Sequence, residues 1–137
     1  MQRIYAGIAI AMAIPLVAFA GKRERDVMAK EVMPAVKDAM AKYKSACGCT
    51  VAITVDEPAL KSIDDLHGAM YIAEHVGEGV EKYCTDDASK KAMCQLKSLS
   101  ISKAKPAGFT FKDGKGVATT DGQSNCSFGQ ITQVLDK

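Results

Sequence analysis

Residues 49–84, CTVAITVDEPALKSIDDLHGAMYIAEHVGEGVEKYC, contain the strand and the helix that decide the fold. In residues 50–55, Val and Ile alternate with Thr and Ala, which predicts a strand with one buried face. The residues Asp56-Glu57-Pro58 end that strand. Ser62, followed three residues later by Asp65, predicts a capping box at the start of the next helix.

The core stripe of this helix is spaced by three and four residues in alternation, which is typical of an amphipathic helix. Its members are Ile63, Leu66, Met70, Ala73, Gly77, Val80 and Cys84. The spacing also fits a coiled coil, but Ala73 and Gly77 are too small to make good knobs. They favour close approach to a sheet or another helix, so we expect the stripe to pack inside the domain. Gly77 and Gly79 weaken the expectation that the helix runs unbroken to Cys84.

The remaining elements are placed by periodicity and by turn residues. A helix is expected over 25–45, and Pro34 either kinks it or lies in the first turn of a helix that starts there. The later elements are predicted as a short helix near 85–95, strands at 98–102, 109–111 and 117–120, and a helix from Ser127 to Leu135. Asp113-Gly114 predicts the hairpin turn between the last two strands. The fold class is therefore α+β: a small antiparallel sheet, one strand plus a three-stranded meander, covered by helices and stapled by disulfides.

The first twenty residues have the layout of a secretory signal peptide. Arg3 precedes an apolar run from Ile4 to Phe19, and Ala18-Phe19-Ala20 is a small-x-small pattern of the kind that signal peptidases cut. An uncleaved membrane anchor is the alternative, because the run is close to the length that spans a bilayer. We expect residues 1–20 to be cleaved and 21–137 to form a single α+β domain in the periplasm or outside the cell.

The charge balance excludes some classes of partner. The chain has 18 basic and 16 acidic residues, and cleavage removes Arg3, so 17 basic residues remain and the mature net charge is +1. This near-balance lacks the electrostatic footprint of a nucleic-acid-binding or membrane-surface protein. We expect no nucleic acid as partner and no membrane anchor after cleavage.

Five cysteines in an exported chain predict two disulfides and one spare thiol. Spacing alone leaves 5 × 3 = 15 arrangements of two bridges. We predict Cys84–Cys94, which would fasten two neighbouring helices, and Cys49–Cys126, because Cys49 shares the inward parity of the first strand. Cys47 is then the spare thiol, free for bonding to another molecule.

A redox role for Cys47-Gly48-Cys49 is the competing hypothesis. A bridge between the two cysteines would require Gly48 to fold the backbone into a turn, and such a strained bridge would be easily reduced. Against this, Cys47 lies past the C-terminal end of the first helix, where the helix dipole disfavours a thiolate. We therefore rank a periplasmic thiol redox protein or sensor second.

A metal carrier ranks third, and catalysis has little support. His67, Met70, Glu74 and His75 lie on one helix, but the two histidines are eight residues apart and lack the i, i+4 spacing of helical zinc pairs. The sequence contains neither a Gly-x-Ser-x-Gly elbow nor a Cys-x-x-Cys-His haem motif. We expect no catalytic residue, no metal site and no cofactor.

The strongest functional hypothesis is an exported binding protein whose partner is a protein or a small ligand. Strand parity places Thr110, Lys112 and Thr120 on an outward surface beside the Asp113-Gly114 turn. We expect this surface to be the site of binding.

Overall fold

The computed structural model describes residues 21–137, so the predicted signal peptide lies outside the described residues. The helices are α1 Lys22–Val27, α2 Met33–Cys47, α3 Ile63–Tyr83, α4 Asp87–Met93 and α5 Phe128–Leu135. The strands are β1 Ala52–Val55, β2 Ser98–Lys103, β3 Phe109–Lys112 and β4 Lys115–Thr120. A π-helical turn, Met28–Val32, joins α1 to α2, and a short 3₁₀ turn, Glu57–Ala59, follows β1. Within the described residues, no helix is both long enough and apolar enough to cross a membrane.

Pro34 explains how the first helical region is built. It lies in the first turn of α2, directly after the π-helical turn. Proline has no N–H, so it cannot donate the hydrogen bond that a helix would form with a carbonyl one turn earlier. The π-helical turn before Pro34 changes the hydrogen-bond pattern at this point, so that no bond is missing. The helix ends at Cys47 and is capped by Gly48, whose N–H donates to the Lys44 carbonyl at 3.0 Å and whose φ of 81° turns the chain away from the helix.

The strand and the helix predicted in residues 49–84 are both present, although the strand begins later than predicted, at Ala52. Val51 and Ile53 are buried, whereas Ala52 and Thr54 are exposed. The helix α3 runs unbroken to Tyr83. Its capping box is present, because the Ser62 hydroxyl accepts the Asp65 N–H at 3.1 Å and the Asp65 carboxylate accepts the Ser62 N–H at 3.3 Å.

The small residues of α3 allow the close packing that the sequence predicts. A Cβ added at Gly77 would lie 3.2 Å from Lys42 Cδ and 3.4 Å from Ala39 Cα, so the backbones of α2 and α3 approach closely there. The buried stripe is broader than predicted. It also includes Ala69, Ile72 and Val76.

The sheet is mixed, with the order β1-β2-β4-β3. The pairs β1–β2 and β2–β4 are parallel, and only β3–β4 is antiparallel. The predicted α+β class with disulfides is confirmed, but the predicted antiparallel meander is wrong. The segment 104–108 leads from β2 to β3, which is not its neighbour in the sheet. The Asp113-Gly114 hairpin then reverses the chain, and β4 lies between β2 and β3. The helices α3 and α4 form the long crossover that the parallel β1–β2 pair requires.

One face of the sheet carries the core. Ile53, Leu99, Ile101 and Ala118 point into a cluster with the helices and are 0–5% exposed. Residues of the opposite parity keep solvent exposure along all four strands, except Thr119 at 9%. The helices therefore cover one face and leave the other open.

A buried hydrogen bond joins the helices inside this core. The Tyr43 hydroxyl donates to the Met93 carbonyl at 2.5 Å, and burial raises the pKa of the phenol. The same carbonyl also accepts the Leu96 N–H at 3.2 Å, so Tyr43→Phe removes one of its two hydrogen bonds. We expect this substitution to lower the free energy of unfolding by about 1 kcal/mol in urea titrations. Tyr71, which is 45% exposed, provides the control. If Tyr43→Phe lowers the free energy of unfolding no more than Tyr71→Phe does, the hydrogen bond does not stabilise the fold.

Candidate functional sites

The disulfides connect the ends of three helices. Cys47 at the end of α2 is bonded to Cys84 just after α3, and Cys49 is bonded to Cys94 just after α4. The two bridges are adjacent, since Cys94 Sγ lies 3.4 Å from the Cys47 carbonyl oxygen. Two disulfides and one free thiol match the expected count, and the bridges indicate an oxidising, non-cytoplasmic location.

The predicted pairing of the cysteines is wrong. Cys84–Cys94 and Cys49–Cys126 are absent, and the free thiol belongs to Cys126, not to Cys47. The parity argument for Cys49 failed because β1 begins only at Ala52, so Cys49 is not part of the strand. The ends of α2 and α3 meet because β1 reverses the chain between them, which brings Cys47 to Cys84 with a Cα–Cα distance of 5.3 Å.

The Cys47-Gly48-Cys49 motif does not form a bridge of its own. Gly48 does turn the backbone, with a φ of 81°, but it does so as the cap of α2. The two cysteines then enter different disulfides. The motif therefore anchors two cross-links at one point of the chain.

The free thiol of Cys126 is buried, with 1% exposure. Burial raises its pKa to about 11, which disfavours the thiolate that exchange chemistry needs. We predict that, at pH 7, an aromatic disulfide reagent reacts with the folded protein roughly a hundredfold more slowly than with the unfolded chain. Rapid stoichiometric labelling of the native protein would show that this thiol is accessible.

The raised pKa of Cys126 also has a consequence for stability. As the pH rises from about 9.0 to about 11, the unfolded chain releases the thiol proton while the folded chain keeps it. The free energy of unfolding should therefore fall in this window, and the fall should be smaller in Cys126→Ala. Denaturant titrations of the wild type and of Cys126→Ala at pH 8.5 and 10.5 measure the two falls in the free energy of unfolding. Equal falls in the two proteins would contradict the prediction.

The four residues considered for metal binding do not converge. His67 Nε2 lies 3.2 Å from Glu31 Oε1, across the interface between α3 and the π-helical turn. His75 is exposed and Met70 is half-buried against the core. Over residues 21–137, no group of three or more His, Cys, Asp or Glu side chains is arranged to hold a metal ion.

Asp65 is the one buried carboxylate of the described chain, with 1% exposure. Its Oδ2 atom accepts N–H bonds from Lys61 and Ser62 and lies 3.1 Å from Lys103 Nζ. These contacts tie the start of α3 to the end of β2. The Oδ2 atom is therefore occupied by structural bonds.

The outward surface predicted from strand parity is present in part. Thr110 and Lys112 are exposed, and the turn is as expected, with positive φ at Asp113 and Gly114. Thr120 is wrongly placed in the prediction, because it is fully buried. Its hydroxyl lies 2.6 Å from Asn125 Oδ1 and accepts the Gly122 N–H. The strand β4 starts at Lys115, so the parity of Thr120 directs it towards α3.

The open sheet face is the largest feature that sequence reasoning missed. We define it as two cross-strand rows that follow the sheet register. One row is Ala52, Ser98, Lys115 and Lys112, and the other is Thr54, Ser100, Val117 and Thr110. The alternation of Ser98 and Ser100 with the buried Leu99 indicates that the two serines lie on an exposed face. Which residues of the other strands lie beside them can be stated only once the strand order is known.

Two concave sites lie on the described surface. The first, about 460 Å³, is a groove along the β3–β4 hairpin at the end of the open sheet face. It is lined by Thr110, Phe111, Lys112, Asp113, Lys115 and Val117. The second, about 300 Å³, lies between the N-terminal helical region and α3, and its lining includes Glu24, Arg25 and Glu57. Because these charges have both signs, the second site presents no single ligand chemistry.

Comparison with known proteins gives no relative. No family model matches the chain, and neither a curated protein nor a solved structure matches it.

Proposed function

We propose that this protein is an exported, disulfide-stabilised binding domain that holds its partner on the open sheet face. The observation that carries this proposal is the one-sided covering of the sheet. Every helix that contributes buried residues packs into a single core, and the two rows on the other side remain accessible. A regular surface of this kind suits recognition, because sheet pairing already fixes the backbone that carries its side chains before a partner arrives.

The side chains of the open sheet face support recognition of a polar partner. Within the described chain, the hydroxyls of Ser98, Ser100 and Thr110 form no hydrogen bond with another protein group. Each hydroxyl offers one donor and two acceptor positions. They can therefore bond to a partner without first breaking an internal bond.

Export is the second half of the proposal. The two disulfides require an oxidising compartment, which the predicted signal peptide would supply. In this proposal, the mature chain begins at Gly21 and works in the periplasm or outside the cell. The buried thiol of Cys126 takes no part in binding.

The test is retention of the purified mature protein on the exported and envelope material of its native host. Ser100→Tyr with Thr110→Tyr places two rings on the open sheet face, and Ser45→Tyr with His75→Tyr places two on exposed helix positions. We expect saturable retention that falls at least tenfold in the first variant and persists in the second. Thermal unfolding confirms that both variants fold. Retention that is absent, or equal in the two variants, would overturn the proposal.

A further inference from the structure

Two lysines at the end of the open sheet face lie directly opposite each other. Lys112 and Lys115 are register partners across the β3–β4 hairpin. Like charges in this position destabilise a hairpin. Within the described chain, neither ammonium forms an ion pair with a carboxylate, although Asp113 lies in the turn between them. The pair is therefore placed to hold an anion that comes from outside the chain.

The hydroxyl groups extend from this cationic end across the sheet. Ser98 is the register partner of Lys115, and Ser100 and Thr110 flank Val117 in the next row. Neighbouring strands in a sheet are about 4.8 Å apart, so adjacent positions in a row can bond to successive groups of one ligand. The groove of about 460 Å³ lies at the lysine end of these rows.

This combination of side chains favours one kind of ligand. Nucleic-acid recognition on a sheet uses aromatic side chains for base stacking, and neither row contains one. A membrane surface requires clusters of basic residues or an inserted apolar edge, whereas the face offers two lysines and Val117. Ammonium and hydroxyl groups together match a polymer that carries both carboxylates and hydroxyls.

We infer that the open sheet face binds an acidic polysaccharide, with its carboxylates at Lys112 and Lys115 and its hydroxyls along Ser98, Ser100 and Thr110. The inference rests on the binding function proposed above and names the partner's chemistry. A solvent-exposed site of this kind gives weak affinity for each sugar, and a polymer compensates by repeated contact.

The experiment titrates the mature, oxidised protein with sodium polygalacturonate by calorimetry. Neutral dextran and poly-L-glutamate are the comparison polymers. Lys112→Ala with Lys115→Ala removes the pair, and Lys37→Ala with Lys44→Ala removes the same charge from an exposed face of α2. Because the opposed lysines repel, the first variant should unfold at the same temperature as the wild type or higher, so a loss of binding is not a loss of fold.

We expect binding to polygalacturonate that weakens with added NaCl, falls at least tenfold in the hairpin variant and is kept by the α2 variant. Dextran and poly-L-glutamate should bind at least tenfold more weakly. Absent binding, equal losses in the two variants, or equal binding of poly-L-glutamate would overturn the inference. If polygalacturonate fails while the tyrosine pair still abolishes retention on host material, the face binds a partner of other chemistry. That result would overturn only the polysaccharide and leave the binding function in place.

Discussion

Replacing Cys47 and Cys84 together by alanine should lower the free energy of unfolding by about 3 kcal/mol, and replacing all four bridged cysteines should lower it by about 7 kcal/mol. The larger loss would remove between about half and all of the stability of a domain of this size, which is typically about 5–15 kcal/mol. The protein that lacks both disulfides should therefore be partly or wholly unfolded at 37 °C.

The two bridges should not contribute additively, because they close overlapping loops. Each bridge alone closes a loop with a sequence separation of 37 or 45 residues. When Cys49–Cys94 is intact, the second bridge closes only a short ring through residues 47–49 and 84–94. A shorter ring restricts the unfolded chain less. Removal of the first bridge should therefore lower the free energy of unfolding less than removal of the second.

Urea titrations of the wild type, the two single-bridge variants and the variant without bridges measure these differences. Cys126→Ala is the control, because it changes a cysteine that closes no loop and should cost about 1 kcal/mol. If removing one bridge costs as much as removing both, the bridges act as one unit. Such a result would contradict the loop argument.

The second large effect is expected at Gly68 of α3. A Cβ at this position would overlap the Thr120 hydroxyl and lie 2.7 Å from Asn125 Oδ1. Both atoms belong to the hydrogen bonds that close the 120–125 turn, and this turn lies directly against Gly68. We expect Gly68→Ala to lower the free energy of unfolding by about 2–3 kcal/mol, despite the better helix propensity of alanine.

Gly77 is the matched control, because it lies in the same helix and is also buried. A Cβ there would lie closest to the flexible Lys42 side chain, at 3.2 Å, which can move away. The change in stability for Gly77→Ala should stay within about 1 kcal/mol, since the gain in helix propensity offsets the crowding. Equal losses at both glycines would mean that the 120–125 segment is not held as described.

The local elements could be predicted from the sequence, because their causes are local. The capping box predicted at Ser62 is present, the last helix is capped by Ser127 and ends at Leu135, and the Asp113-Gly114 hairpin is present too. The strand at Ser98–Lys103 alternates as its sequence indicates. Each of these features depends on residues only a few positions apart.

The strand order and the cysteine pairing could not be predicted, because both depend on contacts between distant segments. The Lys105-Pro106-Ala107-Gly108 turn has the composition of a hairpin, yet the chain there passes over one strand position before β3 begins. The pairing depends on where β1 starts, and a difference of a few residues removed Cys49 from the strand.

The candidate site was predictable only at its hairpin end. Thr110, Lys112 and the turn follow from a local pattern, and the structure confirms that they are exposed. Ser98 and Ser100 lie in the same two rows as Lys112 and Thr110 because β4 lies between β2 and β3. Thr120 was misplaced because the register between β3 and β4 was not known: Thr110 pairs with Val117, so Val117 shares its face and Thr120 lies on the opposite one.

The disulfides Cys47–Cys84 and Cys49–Cys94, together with the proposed export of the domain, are the basis of both functional proposals. The most direct test is the intact mass of the protein recovered from its native host, alkylated in denaturant with and without prior reduction, followed by mapping of the linked peptides. The account predicts a chain that begins at Gly21, with one alkylated thiol at Cys126 and the two named bridges. A chain that keeps residues 1–20, or that has three or five free thiols, would contradict it.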